Sequence, residues 1–191
     1  MTRTLRTFIA VEISSETRSR ARQLFERLKG TDAKISWVKP ECLHLTLKFL
    51  GDVDLREIPA VCDAVTQAVA DLPPFEIEAH GAGAFPTAAR PRTIWLGVGR
   101  GSEEMVALHD AVDRALGGLG YRREQRRFRP HLTVGRVRGG RDLDALGELL
   151  GQHADFAGGV TSVDEVVVMS SELSPDGPEY EPLAAAPLNG R

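Results

Sequence analysis

The chain has 191 residues, enough for one sizeable domain or two small lobes sharing a core. With 42% hydrophobic and 27% charged residues it has the composition of a soluble globular protein. Its formal net charge of −3 excludes wholesale coating of nucleic acid and leaves room for a local basic patch.

No secretory leader is expected in the opening residues, because Arg3 and Arg6 interrupt any apolar run. No stretch approaches the ~20 apolar residues of a membrane span, so a cytoplasmic protein without a membrane partner is expected. "RTFIAVEI", from Arg6, is a β-branched and aromatic run that predicts a strand. Ser14 or Ser15 then caps a helix through about Lys29, closed by Gly30. "CLHLTLKF", Cys42 to Phe49, alternates strictly as a strand. Leu43, Leu45, Leu47 and Phe49 take one face, and His44, Thr46 and Lys48 the other. Cys42 and Cys62 form no CxxC and lie in apolar stretches, so they read as buried free thiols. Leu55, Ile58, Val61, Val65 and Val69 recur at helical intervals within Asp54–Leu72, and "FEIEAHG", Phe75 to Gly81, returns as a strand. Gly81 to Arg92 is rich in Gly, Pro and Ala and predicts a connection.

After that connection the order starts again. "RTIWLGVG" from Arg92 is a strand, and Ser102 caps a helix through about Leu116, closed by Gly117 and Gly118. "PHLTVGRV" repeats the His-x-Thr spacing at His131 and Thr133. A shorter helix, Asp142 to Gln152, and a strand, Val163 to Leu173, follow. "SPDGPEYEPL" is a turn feeding a last edge strand near 179–186. Strand, helix, HLT strand, helix, strand is thus used twice, over roughly 5–81 and 91–173. The expectation is one α+β domain over 1–191 with two pseudo-symmetric lobes. Each lobe is an antiparallel sheet with flanking helices, and the two HLT faces meet at a central cleft.

One histidine on a strand is usually structural, and His80, His109 and His153 have no Thr two residues on and no counterpart in the other half. His44 and His131 stand apart because the same pair recurs within a repeated unit. Imidazole titrates near ~6.5, so one ring can start neutral and the other protonated, removing and donating protons on two sides of a reacting centre. Thr hydroxyls and Arg side chains can hold the non-reacting oxygens of a phosphoryl group. The set fits in-line displacement at phosphorus. A zinc site would want a third ligand, and neither motif contains a carboxylate, so no metal is expected. Tyr121 to Arg141 holds eight Arg and one acid, Glu124. Arg122, Arg123 and Arg141 read as a solvated face. Arg129 shares the face of His131 if the strand already runs there. Arg136 would face the core on a flat strand, but a bulge at Gly135 re-aims it into the cleft. Lys48 is placed in the same groove. Phe49 is placed in the core, with stacking on a base as the alternative. These charges suit a ribose-phosphate substrate, an RNA end.

"HLTLKFLG" and "HLTVGRVR" resemble the paired His-x-Thr-x motifs of the two-histidine phosphoesterase superfamily. "RTFIAVEI", "FPTAARPRTIWLGV" and "SSELSPDGPEY" extend the likeness to the RNA 2′,3′-cyclic phosphodiesterases, also called 2′-5′ RNA ligases, over about Arg6 to Leu183. The resemblance implies a bilobal fold and no required metal or organic cofactor. It also implies His44 as proton donor and His131 as acceptor, with Thr46, Thr133 and Arg136 on the phosphoryl oxygens. The implied reaction hydrolyses a terminal 2′,3′-cyclic phosphate to a 2′-phosphate, with 2′-5′ joining of RNA ends at the same site. Two rivals are a phosphodiesterase for a small cyclic nucleotide or 2′-5′ oligonucleotide, and a non-catalytic RNA-end binding module. A monomer is expected.

Overall fold

The computed structural model describes residues 3–141, 143–174 and 177–190. Asp142, expected to open the fourth helix, and Pro175–Asp176 of the expected turn lie outside the described residues. In chain order the elements are β1 (Thr4–Glu12), α1 (Ser15–Leu28), β2 (Ala33–Trp37), β3 (His44–Asp54), α2 (Ile58–Val69), β4 (Phe75–Thr87) and β5 (Arg90–Val98). The second half continues with α3 (Ser102–Gly118), β6 (His131–Gly140), α4 (Leu143–Gly151), β7 (Ala157–Val163), β8 (Glu165–Ser174) and β9 (Gly177–Pro187). Ser14 caps α1, accepting from the Thr17 N–H at 3.1 Å. Its own hydroxyl donates to the Val160 carbonyl of β7 at 2.6 Å, which docks the helix start on the second half of the chain. The cap of α3 is Gly101, at φ 81°, rather than Ser102.

The described strands form one curled antiparallel sheet in the order β7-β4-β5-β6-β3-β1-β8-β9, with β2 added beside β6. Helices and the main core cover one face: Ile9, Val11, Leu45, Ile94, Leu96 and Leu132 all point there and are buried. The two HLT strands, β3 and β6, are neighbours at the centre, joined through one pair, Leu45 opposite Leu132. That joint divides the sheet into two lobes. The lobes do not coincide with the sequence repeats. β4, which ends the first repeat, pairs with β5 of the second, and β8, which ends the second, pairs with β1 of the first. Each half therefore donates its last strand to the other, and neither lobe can close without both.

Three expectations need correction. The segment Gly81–Arg92 is not a connection: most of it continues β4 and turns into β5, with Ala82 to Phe85 paired along Leu96 to Thr93. Its Gly and Ala content has a packing reason, since a Cβ at Gly83 would lie 2.4 Å from the Trp95 ring. Matching "RTFIAVEI" to "RTIWLGVG" letter for letter is also one residue out. Ile9 pairs with Lys48 as Ile94 pairs with Gly135, so Ile9 corresponds to Ile94, although the letters align it with Trp95. A one-residue slip exchanges the two faces of a strand. Finally, the cysteines are free but only half-buried, and burial pushes both thiols up.

The alternation of β3 also breaks. The ladder to β1 shifts between Ile9 and Ala10, which leaves Leu47 as an extra residue and turns Lys48 to the core side with Ile9. Lys48 is 3% exposed and does not enter the groove. Its ammonium donates to Asp113 Oδ1 at 2.5 Å and to the Arg122 carbonyl at 2.8 Å. Asp113, on α3, also accepts from Arg123 Nε at 3.1 Å and from the Glu124 N–H at 3.2 Å. Burial by itself pushes this carboxyl up, but the hydrogen bonds from Lys48, Arg123 and Glu124 outweigh it and hold it below the usual range. A buried carboxylate stripped of its cation keeps its desolvation cost, so Lys48→Met should lower stability by about 3–5 kcal/mol. Urea unfolding of the two proteins measures this, and a loss under about 1 kcal/mol would mean that the pair is exposed to water and weak.

Candidate active site

Leu45 and Leu132 face the core as a directly opposed pair, so the residues on either side of them face away from it together. The antiparallel sense sets His44 towards Thr133, and Thr46 towards His131. All four side chains are half-buried on the face of the sheet opposite the main core. The sequence placed this quartet in two motifs; the β3–β6 pairing makes it one cluster.

Each histidine is held in the same way. His44 Nδ1 lies 2.8 Å from the Cys42 carbonyl, and His131 Nδ1 lies 2.6 Å from the Arg129 carbonyl, in both cases two residues back. A carbonyl oxygen only accepts, so Nδ1 carries the hydrogen in both rings and Nε2 is the nitrogen left for a substrate. Burial pushes both imidazoles below their ordinary value, against the carbonyl hydrogen bonds that favour the charged form. The third influence differs. Glu12, directly across the ladder from His44, raises that ring, whereas Arg129 lowers His131. The position across from His131 is Gly97, which carries no charge.

The bulge in β3 recurs in β6. The ladder to β5 shifts between Ile94 and Trp95, leaving Val134 extra and bringing Arg136 opposite Thr93. Arg136 is therefore exposed on the same face as His131 and Thr133. Phe49 occupies the matching position of β3, opposite Phe8, and is not in the core: it is 63% exposed, with its ring 5.7 Å from that of Phe8. Arg129 enters the site through its backbone carbonyl, and its side chain lines a hollow beside His131.

Several residues of the site carry no motif. Phe8 and Tyr180 pack on the His44 ring at 4.8 and 5.2 Å, and Phe85 meets the His131 ring edge-on at 5.0 Å. Tyr180 comes from β9, and its hydroxyl is pushed up by burial and by Cys42, with Arg136 opposing. The Arg136 charge is thus felt at the His44 end of the groove. The groove has unlike ends. A hollow of about 340 Å³ beside His44 is lined by Glu12, Glu41, Glu165 and Tyr180. Another of about 570 Å³ beside His131 is lined by Phe85, Trp95, Arg127 and Arg129. His80 also lines the larger hollow, whereas His109 is stacked on Phe128 and His153 is bonded to the Leu149 carbonyl, both away from the quartet. Among the described residues no group of three or more His, Cys, Asp or Glu side chains is arranged to hold a metal ion.

The sequence pattern of the 2′-5′ RNA ligase superfamily matches residues 10–174. The chain belongs to that superfamily. It is 39% identical over 176 residues to the RNA 2′,3′-cyclic phosphodiesterase of Methanothermobacter thermautotrophicus, covering 92% of this chain and 95% of the relative. The protein of the same name from Thermotoga maritima is 33% identical over 186 residues, 97% of each chain. Among solved structures, a Thermus thermophilus protein superposes with a TM-score of 0.82 at 24% identity, covering 97% of this chain and 99% of that one. Escherichia coli LigT complexed with 3′-AMP gives 0.75 at 22% identity, covering 97% and 98%. At these identities the structures speak for the shared fold: a curled antiparallel sheet with flanking helices in two pseudo-symmetric lobes.

The unlike neighbours of the two rings give a direct test. In an NMR titration of the free protein both imidazoles should titrate below the ordinary ~6.5. In Glu12→Gln the carboxylate that favours the charged His44 is gone, so that ring should titrate lower still while His131 stays in place. A Glu12→Gln spectrum with both rings unmoved would mean that Glu12 does not act on His44.

Proposed function

We propose that the chain is an RNA 2′,3′-cyclic phosphodiesterase that opens a terminal 2′,3′-cyclic phosphate to a 2′-phosphate without a metal. The observation that carries this reading is the mirrored pair of Nδ1–carbonyl contacts, which leaves two Nε2 atoms, each beside a threonine, at one groove. Water attacks phosphorus and the P–O3′ bond breaks. His131 Nε2 takes the proton from water, and His44 Nε2 gives one to O3′. The division of roles follows the charges: Glu12 favours a protonated His44, and Arg129 favours a neutral His131. Thr46 and Thr133 donate hydrogen bonds to the non-bridging oxygens, and Arg136 balances their charge. Phe49, exposed at the rim, offers a face to a base. Lys48 has no part in this scheme, because its charge is spent on Asp113. A substrate with an RNA end also matches the arginines at the groove, and no helix among the described residues is long and apolar enough to cross a membrane. We further propose that the chain works as a cytoplasmic monomer.

Kinetics on a cyclic-phosphate-ended RNA test the assignment. His44→Ala and His131→Ala should each lower turnover by roughly 10²–10⁴-fold. Thr46→Val and Thr133→Val keep the β-branched shape and lose a bond to a charged group of about 1.5–3 kcal/mol, roughly 10–150-fold in kcat/KM. Folded histidine variants with wild-type rates would falsify the mechanism.

The pH profile follows from the burial of both rings. Activity falls as pH drops through the His131 titration, when the base is protonated, and as pH rises through that of His44, when the acid is lost. Both values are lowered, so both limbs of kcat/KM move to the acid side and the optimum lies below ~6.5. The limbs belong to the coupled pair. A rate that climbs steadily past pH ~8 would remove His44 from the acid role.

A further inference from the structure

We propose that the buried Lys48–Asp113 pair is a positioning device for His131, fixing the backbone carbonyl that selects which ring nitrogen is left bare. The inference rests on the proposed function in giving His131 the role of base.

The two histidines are held by carbonyls of unlike origin. The Cys42 carbonyl, which holds His44, belongs to a 3₁₀ turn, Pro40–Cys42, whose Cys42 N–H donates to the Lys39 carbonyl at 2.8 Å. The Arg129 carbonyl, which holds His131, lies between α3 and β6 in a stretch that is neither helix nor strand. Among the described residues, the last backbone–backbone hydrogen bond of that stretch runs from the Tyr121 N–H to the Leu116 carbonyl. Beyond it the chain needs another support.

That support is α3. His109, Asp113 and Gly117 recur at every fourth residue and so share one face of the helix. The stretch runs back along them. Arg123 packs on Gly117, where a Cβ would lie 2.9 Å from its Cγ. Asp113 accepts from Arg123 Nε at 3.1 Å and from the Glu124 N–H at 3.2 Å. Phe128 stacks on the His109 ring at 4.2 Å, with the planes 2° apart, and Arg129 follows directly. Asp113 is the hub of these contacts, yet it is only 2% exposed. A carboxylate so deeply buried stays charged only beside a cation. Lys48 supplies that cation and also donates to the Arg122 carbonyl at 2.8 Å. A side chain of the first HLT strand thus holds the chain that leads into the second.

The Arg129 carbonyl keeps the hydrogen of a neutral His131 on Nδ1. A ring that loses this acceptor is free to carry its hydrogen on Nε2, and a protonated Nε2 takes no proton from water. Lys48 and Asp113 touch no substrate. They act through His131, so their loss belongs in kcat rather than in KM.

One double variant separates stability from positioning. Lys48→Met with Asp113→Leu replaces the pair by apolar side chains of similar shape, a change that is often neutral for stability. It also deletes the bonds to Arg122, Arg123 and Glu124. Urea unfolding should place it near wild type, unlike Lys48→Met alone. On a cyclic-phosphate-ended RNA its kcat should fall about 10²-fold, as for a group misplaced by ~1 Å, with KM little changed. ¹⁵N NMR of the neutral rings in the free protein should show wild-type His131 with Nδ1 protonated and Nε2 bare. The variant should gain the Nε2–H form at His131 alone, while His44, held by its own turn, stays as it is. A stable variant with wild-type kcat and an unmoved His131 would reduce the pair to a structural contact and overturn the proposal. So would an equal change at His44, because Lys48 shares its strand and would then act by shifting it. Arg123→Ala with Glu124→Pro covers a first variant that does not fold. It deletes both bonds from the stretch to Asp113 at exposed positions and leaves the buried pair in place. His131 should again gain the Nε2–H form, and an unaltered ring would overturn the device. A wild type that hydrolyses no cyclic end would strike the proposed function instead, and the His131 tautomer would still report on the positioning.

Discussion

The pairing of Leu45 with Leu132 is the contact on which the site depends. It is the joint between two lobes, and each lobe contains two strands from the other half of the chain, β8 and β9 in one and β2 and β4 in the other. The leucines are buried on the helix-covered face, so their burial holds the histidines and threonines on the opposite face. The histidines and threonines thus sit on the two paired strands at the centre of the sheet. A site built on paired strands keeps its geometry better than one built on loops.

Two bulges at matching positions then decide what surrounds the quartet. In each HLT strand the residue after Thr becomes supernumerary, and the alternation beyond it is inverted. One inversion brings Arg136 to the groove and the other brings Phe49, so the two halves present a cation and an aromatic ring at equivalent places. The inversion also sends Lys48 inward, where Asp113 meets it. That pair anchors the start of the arginine-rich segment through Arg122, Arg123 and Glu124. The same segment runs on to Arg129, whose carbonyl holds His131.

The pseudo-symmetry is broken by a few side chains, and the proposed division of acid and base roles rests on the break. Two identical imidazoles could not divide acid and base roles. Glu12 facing one ring, and Gly97 with Arg129 beside the other, make them unequal. Likewise Trp95 lies where the first half has Ala10, which gives one end of the groove a floor that the other lacks.

The sequence by itself determined the repeated element order, the α+β class and the His44–Thr46 and His131–Thr133 pairs. Periodicity and a repeated motif are local, and they survive in the linear order. The bulge at Val134 was also legible, because the glycine beside it, Gly135, signals one. The equivalent bulge at Leu47 was not, since no residue there departs from good strand chemistry, and so Lys48 and Phe49 were assigned to the wrong faces. Phe8, Glu12, Trp95 and Tyr180 reach the groove only through cross-strand register and through β9. Register over such distances is a product of packing, not of any local preference. The exchange of β4 and β8 between halves is of the same kind. A strand's pairing partner is chosen by the surface it can bury, and that surface exists only once the rest of the chain is in place.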